Sequence, residues 1–269
     1  MSRSANDSAS ARAMPRGGPA ASWLDRKLQT DALEYTDRDD VAAQTKKRYV
    51  IDALDQMGVK TDAHQRTAQL ALDCVASVDG PRILELGAGH GRVSEHILAT
   101  HPAAHVTITD LDPTSVAKVA AGPVGQNPRA TTKVVDATAI DEPDDTFDLV
   151  VFANSFHHLP PRVAVAAIAE ATRVASTFLV VDLKRIPPVP LLARTAAACL
   201  IVVPAVVRPM AAMPAVMHDS FISNLRSYSP SALTALGRAV DPTMQIDFLP
   251  AINRWISSLC VTYRRPTTD

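Results

Sequence analysis

Apolar residues change their spacing near residue 80, and that change divides the chain. From Trp23 to Val78 they recur at helical intervals. Leu24, Leu28 and Leu33 predict a helix over Trp23–Glu34. A second follows over Val41–Met57, with Gly58 as its C-cap. A third starts at Thr61 as cap and runs to Val78 on Leu70, Leu72 and Val75. After Gly80, short apolar runs alternate with helical stretches. PRILEL (Pro81–Leu86), HVTITD (His105–Asp110), TTKVVD (Thr131–Asp136), FDLVVF (Phe147–Phe152) and TFLVVDL (Thr177–Leu183) have the length and β-branched content of strands buried on both faces. Helices are expected between them near Arg92–Thr100, Pro113–Ala121 and Pro161–Ala175.

Strands alternating with helices imply a parallel, doubly wound α/β sheet. Beyond Arg185 the alternation lapses into an apolar insertion over residues 186–228, rich in proline. Ser229 and Pro230 then predict an N-cap and first-turn proline for a helix to Val240. Gln245–Leu249 and Ser258–Arg264 supply two last strands, which brings the sheet to seven. The expected organisation is a disordered tail (1–21), an N-terminal helical cap (22–79), a cofactor-binding core (80–185), a helical lid insertion (186–228) and the C-terminal part of the sheet (229–269).

Composition narrows the class. Apolar residues make up 47% and aromatics only 4%, so the core must be aliphatic. The net charge of −1 gives no general attraction for nucleic acid, and Lys46, Lys47 and Arg48 suit a solvated helix face. Cys74, Cys199 and Cys260 lie far apart in apolar stretches, without metal-ligand spacing. They suit reduced, buried thiols in a cytoplasmic protein. The stretch Thr195–Val207 is uncharged but only 13 residues long and contains Pro204. A membrane span needs about 20 apolar residues. No transmembrane segment is expected; a contact with the membrane surface stays open, as does a homodimer.

The densest chemistry lies in ILELGAGHGR, Ile83–Arg92, where a strand ends and glycines follow at 87, 89 and 91. Glycines let a backbone approach a ligand that any Cβ would meet. A pyrophosphate site has the spacing GxGxxG and gains nothing from an adjacent Glu85. A cationic ligand does gain from it. The E-x-G-x-G-x-G arrangement resembles motif I of the class I S-adenosylmethionine-dependent methyltransferases, over about Pro81–Leu183. The resemblance implies a Rossmann-like doubly wound seven-stranded sheet, mostly parallel with one antiparallel strand, and S-adenosyl-L-methionine as cofactor. It places Glu85, Gly87, Ala88, Gly89 and Gly91 at the methionine end. Asp110, with Asp112 as competitor, falls at the ribose. Leu111 falls on the adenine, and Asp136 and the Ala137 N–H at its edge. No metal ligands are implied.

In that family the fourth strand ends beside the reacting methyl group. Here the segment is FANSFHHLPP, which puts Asn154, Ser155, His157 and His158 near the chemistry. NSFHHL is similar to the segment in ubiquinone/menaquinone-type and related small-molecule methyltransferases. His157 or His158 could act as a base, or the segment could merely cap the strand. The NPPY and DPPY signatures of base-methylating enzymes are missing, which argues against nucleic acid as acceptor. A second cluster is MHDSFISNLRSYSP, Met217–Pro230. There His218 is a further catalytic candidate, and Asp219 either joins it or caps its own helix. Trp23, Tyr35, Phe156, Phe221 and Trp255 could line a pocket. The Ala/Val/Pro-rich insertion suggests a greasy acceptor: polyketide, quinone, phenol or lipid-like. The expected function is methyl transfer to oxygen or carbon of a small hydrophobic molecule. The alternative is a fold relative that binds the cofactor in a regulatory or structural role. Deleting residues 190–215 is expected to abolish acceptor binding and spare cofactor binding. Loss of both in a folded protein contradicts the lid assignment.

Overall fold

The computed structural model describes residues 14–38, 40–197, 212–252 and 258–266. Seven strands form one sheet: β1 (Arg82–Leu86), β2 (His105–Asp110), β3 (Ala130–Val134), β4 (Phe147–Ala153), β5 (Ala175–Leu183), β6 (Gln245–Leu249) and β7 (Ser258–Arg264). Their order is β3-β2-β1-β4-β5-β7-β6. β1 to β5 pair in parallel, and β7 runs antiparallel to both β5 and β6. The doubly wound sheet with one antiparallel strand is therefore present.

Alternation along each strand builds two cores. Ile83, Val106, Ile108, Leu149, Val151, Leu179 and Val181 face one side. There they meet α3 (Ala63–Cys74), α4 (Arg92–Thr100) and α5 (Pro113–Ala121). Leu84, Leu86, Val150, Phe152, Phe178 and Val180 face the other side, against α6 (Pro161–Val174) and α9 (Pro230–Val240). Phe156 is fully buried in this second core, where it borders a small internal pocket with Val180, Asp182 and Tyr228. The chain has no helix between β3 and β4. A groove of about 380 Å3 opens there, over Leu84, Thr107 and Lys133. It holds no residue of the glycine turn.

The N-terminal part departs from the periodic reading. α1 spans only Trp23–Leu28 and buries none of its residues. Trp23 is 71% exposed and Leu33 56%, so leucines at helical spacing here lack a partner surface. A 3-10 turn, Tyr35–Asp37, follows. α2 runs Val41–Lys60, through Gly58. A Cβ on Gly58 would lie 2.3 Å from His64 Nε2, so this glycine permits close approach of α3 rather than ending α2. Thr61 caps the C-terminus of α2, its hydroxyl donating to Met57 O at 2.7 Å. α3 ends at Cys74, short of Val78.

The expectation of a disordered tail through Ala21 is corrected for residues 14–21. Met14 packs in the α6/α9 core, and Arg16 is 2% exposed. The Arg16 guanidinium donates to His157 O at 2.7 Å, to Arg226 O and to Asp31, and lies 5.0 Å from the Tyr228 ring. The insertion contributes α7 (Pro188–Ala197) and α8 (Met213–Arg226). Ser229 caps α9 as predicted, accepting from Ala232 N. Most of Thr195–Val207, with Cys199, and Trp255 lie outside the described residues. Cys74 is half-buried and Cys260 buried. Among the described residues no helix is long and apolar enough to cross a membrane.

Removing a buried cation strands the acceptors it served, which costs about 1–3 kcal/mol per group. Arg16→Ala is expected to lower unfolding free energy by about 2–4 kcal/mol. Trp23→Ala is expected to change it by less than about 1 kcal/mol. Urea titrations of both variants check this; equal effects contradict the packed N-terminal segment.

Candidate functional site

β1, β2 and β4 end side by side, with Glu85 in register with Ile108 and Val151. The turn after β1 holds Gly87, Gly89 and Gly91 at φ of +60°, +53° and +69°, a region that side chains rarely tolerate. A Cβ on Gly87 would fall 2.6 Å from Ser155 Oγ and 2.8 Å from the Phe152 ring, so the turn packs against the end of β4. A Cβ on Gly89 would meet no atom within 4 Å. The backbone at Gly89 thus borders open space. The Asp110 carboxylate fixes the turn, accepting from Gly89 N at 2.9 Å and from Asp112 N at 3.0 Å. The Ala88 N–H donates to Thr109 O at 2.8 Å.

Asp112 is occupied elsewhere: it caps α5, accepting from Thr114 N at 2.9 Å and Ser115 Oγ at 3.0 Å. Of the two acidic candidates, Asp110 is the one tied to the glycine turn. Leu111, the residue after β2, is 67% exposed and Val134, the last of β3, 53%, so each leaves an apolar side chain uncovered. Asp136 is exposed and accepts from Thr138 N and Oγ1, both at 2.8 Å. Ala137 packs against the core beside it. Asn154 follows β4 directly, in the left-handed region at φ +57°, its N–H donating to Val181 O.

Glu85 is 2% exposed and points at the start of α4, where it accepts from Ser94 N at 3.1 Å and from the Ser94 hydroxyl. Burial penalises its charge, and the hydrogen bonds from Ser94 only partly offset this. Its pKa is pushed up to about 7.

The histidines sit in a cluster of carboxylates, in and around a 3-10 turn over Phe156–His158. His157 is 4% exposed. Its backbone N–H donates to Asp182 Oδ2 and its Nδ1 meets Asp182 Oδ1, both at 2.7 Å. Its Nε2 lies 3.5 Å from Glu34 Oε1. Burial works against the imidazolium, but Asp182 and then Glu34 more than reverse this and raise the pKa to about 9. The same contacts hold the Asp182 and Glu34 carboxyls below their usual range despite burial. Both ring nitrogens of His157 are thus directed at carboxylates, an arrangement poorly suited to accepting a substrate proton. His158 is a quarter exposed, with Nδ1 at 2.7 Å from Asp37 Oδ1 and Nε2 at 3.9 Å from Glu34 Oε2. Arg226 pairs with Asp37 and lies 3.7 Å from Glu34 Oε1.

His218 and Asp219 sit in the middle of α8, so Asp219 caps no part of its own helix. The buried Asp219 carboxylate instead accepts from Tyr35 N at 2.9 Å and Thr36 N at 3.3 Å, across 184 and 183 residues of chain. His218 Nδ1 meets Asp219 Oδ1 at 2.8 Å, its ring 4.7 Å from that of Tyr35. The structure thus brings together the glycine turn, Asp110, Asn154 and Ser155. It adds Glu34, Asp37 and Asp182, which sequence reasoning missed. Asp182 had a signal, an acid within an otherwise apolar strand. Glu34 and Asp37 had none locally.

Residues 83–177 match the family model described as a methyltransferase domain. No curated protein sequence matches the chain. Among solved structures, the plantazolicin methyltransferase BpumL, in complex with a monoazolic desmethylPZN analog and SAH, aligns at a TM-score of 0.61 and 12% identity, over 84% of this chain and 92% of that one. A Nostoc punctiforme protein with a provisional O-methyltransferase assignment aligns at 0.56 and 16%, over 98% of this chain and 69% of that one. The methyltransferase domain of the bacterial CtHen1-CN aligns at 0.52 and 12%, over 75% and 98%. At these identities the likeness establishes the fold.

A carboxyl whose folded pKa lies above the unfolded value of 4.5 keeps a proton that the unfolded chain has released. Its contribution to stability therefore falls as pH rises from about 4.5 to about 7. Glu85→Gln is expected to remove that fall, worth at most about 3 kcal/mol. Denaturant titrations of both proteins between pH 5 and 8 check this; parallel pH profiles contradict it.

Proposed function

We propose that this chain is an S-adenosyl-L-methionine-dependent methyltransferase acting on oxygen or carbon of a small hydrophobic acceptor. The observation that carries the reading is Gly89: left-handed, facing open space, and held by a carboxylate at the end of the neighbouring strand. The methyltransferase-domain match over residues 83–177 and the fold of SAH-bound neighbours support it.

When bound, the cofactor supplies a methyl group on a sulfonium, already activated for displacement. The chain's own work is binding, orientation and exclusion of water. Gly89, with no atom within 4 Å of where its Cβ would lie, lets the backbone of the turn come close to the ligand. Each Asp110 oxygen accepts one backbone bond and keeps further lone-pair capacity for a vicinal diol. Leu111 and Val134 offer uncovered apolar surface for a flat ring, with Asp136 and the Ala137 N–H at its edge. Glu85 provides negative charge behind the turn once a cationic ligand draws off its proton. Asn154, at the tip of β4, borders the reacting end. Holding two reactants in line can supply about 7–11 kcal/mol of the barrier.

Where the acceptor must lose a proton, His218 is the base we assign. Asp219 fixes its Nδ1, which leaves Nε2 to accept. His158, whose two ring nitrogens face Asp37 and Glu34, is not assigned that role. The apolar α7 and the residues after it suit a greasy acceptor.

Gly89→Val is expected to abolish binding of S-adenosylhomocysteine. Asp110→Ala is expected to weaken it by about 1.5–3 kcal/mol, and Asp112→Ala to leave it within about twofold. Titration calorimetry checks all three; wild-type affinity in Gly89→Val contradicts the placement. Label transfer from S-adenosylmethionine into a metabolite extract separates methyl transfer from a fold relative that only binds. With an acceptor in hand, His218→Ala is expected to lower kcat about 10²–10⁴-fold with cofactor affinity unchanged.

A further inference from the structure

The strongest feature outside the glycine turn is the meeting of Glu34, His157 and His158. One carboxylate oxygen and two imidazole nitrogens lie there within 4.8 Å of one another. Each ring has its Nδ1 at 2.7 Å from a carboxylate, Asp182 for His157 and Asp37 for His158. Such a contact makes Nδ1 the donor and turns the Nε2 lone pair outward, the arrangement that orients metal-binding histidines. Both Nε2 atoms face Glu34, at 3.5 and 3.9 Å from its two oxygens. Neighbouring ligands of a tetrahedral ion with bonds of about 2.0–2.2 Å are separated by roughly 3.3–3.5 Å. The separation of His157 Nε2 from Glu34 Oε1, 3.5 Å, matches this, and that of His158 Nε2 from Glu34 Oε2, 3.9 Å, needs only a small inward shift.

Two further observations point to an occupant. His157 Nε2 and Glu34 Oε1 are buried and face each other at 3.5 Å, without a well-formed hydrogen bond to any group. A buried polar atom left unpaired is costly, and a metal ion between the two satisfies both. The charges also leave room. Glu34, Asp37 and Asp182 are three anions, and Arg226 offers one cation among them. With both imidazoles neutral, two negative charges remain for a divalent ion to balance.

We propose that Glu34, His157 and His158 form a binding site for one divalent transition-metal ion, with Asp37 and Asp182 orienting the histidines. Two nitrogens and one carboxylate suit zinc, cobalt, nickel or iron rather than magnesium or calcium. Three protein ligands leave a fourth position open, on the quarter-exposed side of His158. Because Glu34 belongs to the N-terminal segment and the histidines follow β4, the ion also fastens that segment over the end of the sheet. The competing occupant is a proton on the His157 ring, with no metal.

The test uses the full, tag-free chain stripped with chelator, then titrated with Co²⁺ and with Zn²⁺ near pH 7. One Co²⁺ per chain with the visible ligand-field bands of a four-coordinate ion is expected, displaced by Zn²⁺. His158→Ala and Glu34→Gln are expected to weaken binding at least 10- to 100-fold. Asp37→Asn is expected to weaken it about 10- to 100-fold while leaving the bands in place. Failure of the wild-type chain to bind stoichiometrically overturns the proposal and leaves the proton as the occupant. So does binding that persists unchanged in folded His158→Ala and Glu34→Gln, since the ion then sits elsewhere. If these variants do not fold, the wild-type cobalt spectrum decides: its absence, or bands of an octahedral, all-oxygen ion, overturns the site.

Discussion

A charge taken out of water must meet an opposite charge, and this constraint places the N-terminal segment. α1 buries no residue, so apolar contact contributes little there. The segment is held instead by buried ions. Arg185 binds Asp25 at 2.6 and 2.9 Å, and Arg16 reaches backbone carbonyls beyond β4 and at the end of α8. Glu34 faces two histidines, and Asp219 holds the 3-10 turn at Tyr35. Such pairs add modest net stability when intact, yet leaving one partner behind is expensive. The result is a segment with one allowed seat, at the C-terminal edge of the sheet.

That edge is where the two halves of the site meet. Ser155 Oγ donates to Gly87 O at 3.3 Å, and His157 is anchored to Asp182 on β5. The loop after β4 therefore touches the glycine turn on one side and the carboxylate cluster on the other. Only two residues of backbone, from Ser155 to His157, separate the carboxylate cluster from the turn that borders the open space at Gly89.

The sheet was legible because buried strands write themselves as apolar runs. β2, β6 and β7 begin and end where the sequence places them. Helices α4, α5 and α9 were equally clear, bounded by a glycine, by Asp112-Pro113 and by Ser229-Pro230. The glycine turn and Asp110 were legible as a local motif. The N-terminal segment was not, because its partners lie far off in the chain. Nothing near Arg16 announces an acceptor at residue 226, and nothing near Asp219 announces a turn at Tyr35. Gly58 misled for a related reason: the sequence shows a helix breaker, while the packing of His64 against it shows why one is tolerated. Helical spacing of leucines predicts a helix only where a second surface exists to cover them.

The distance in sequence between the N-terminal arm and its anchors bears on how the protein is made. A ribosome delivers Arg16 first, but its carbonyl partners at His157 and Arg226 follow 141 and 210 residues later. Until those partners are made, the Arg16 cation has only water in their place. Only when α8 has emerged can the arm dock. The arm is thus made well before the residues that hold it, and its seat over the edge of the sheet is complete only once those residues exist.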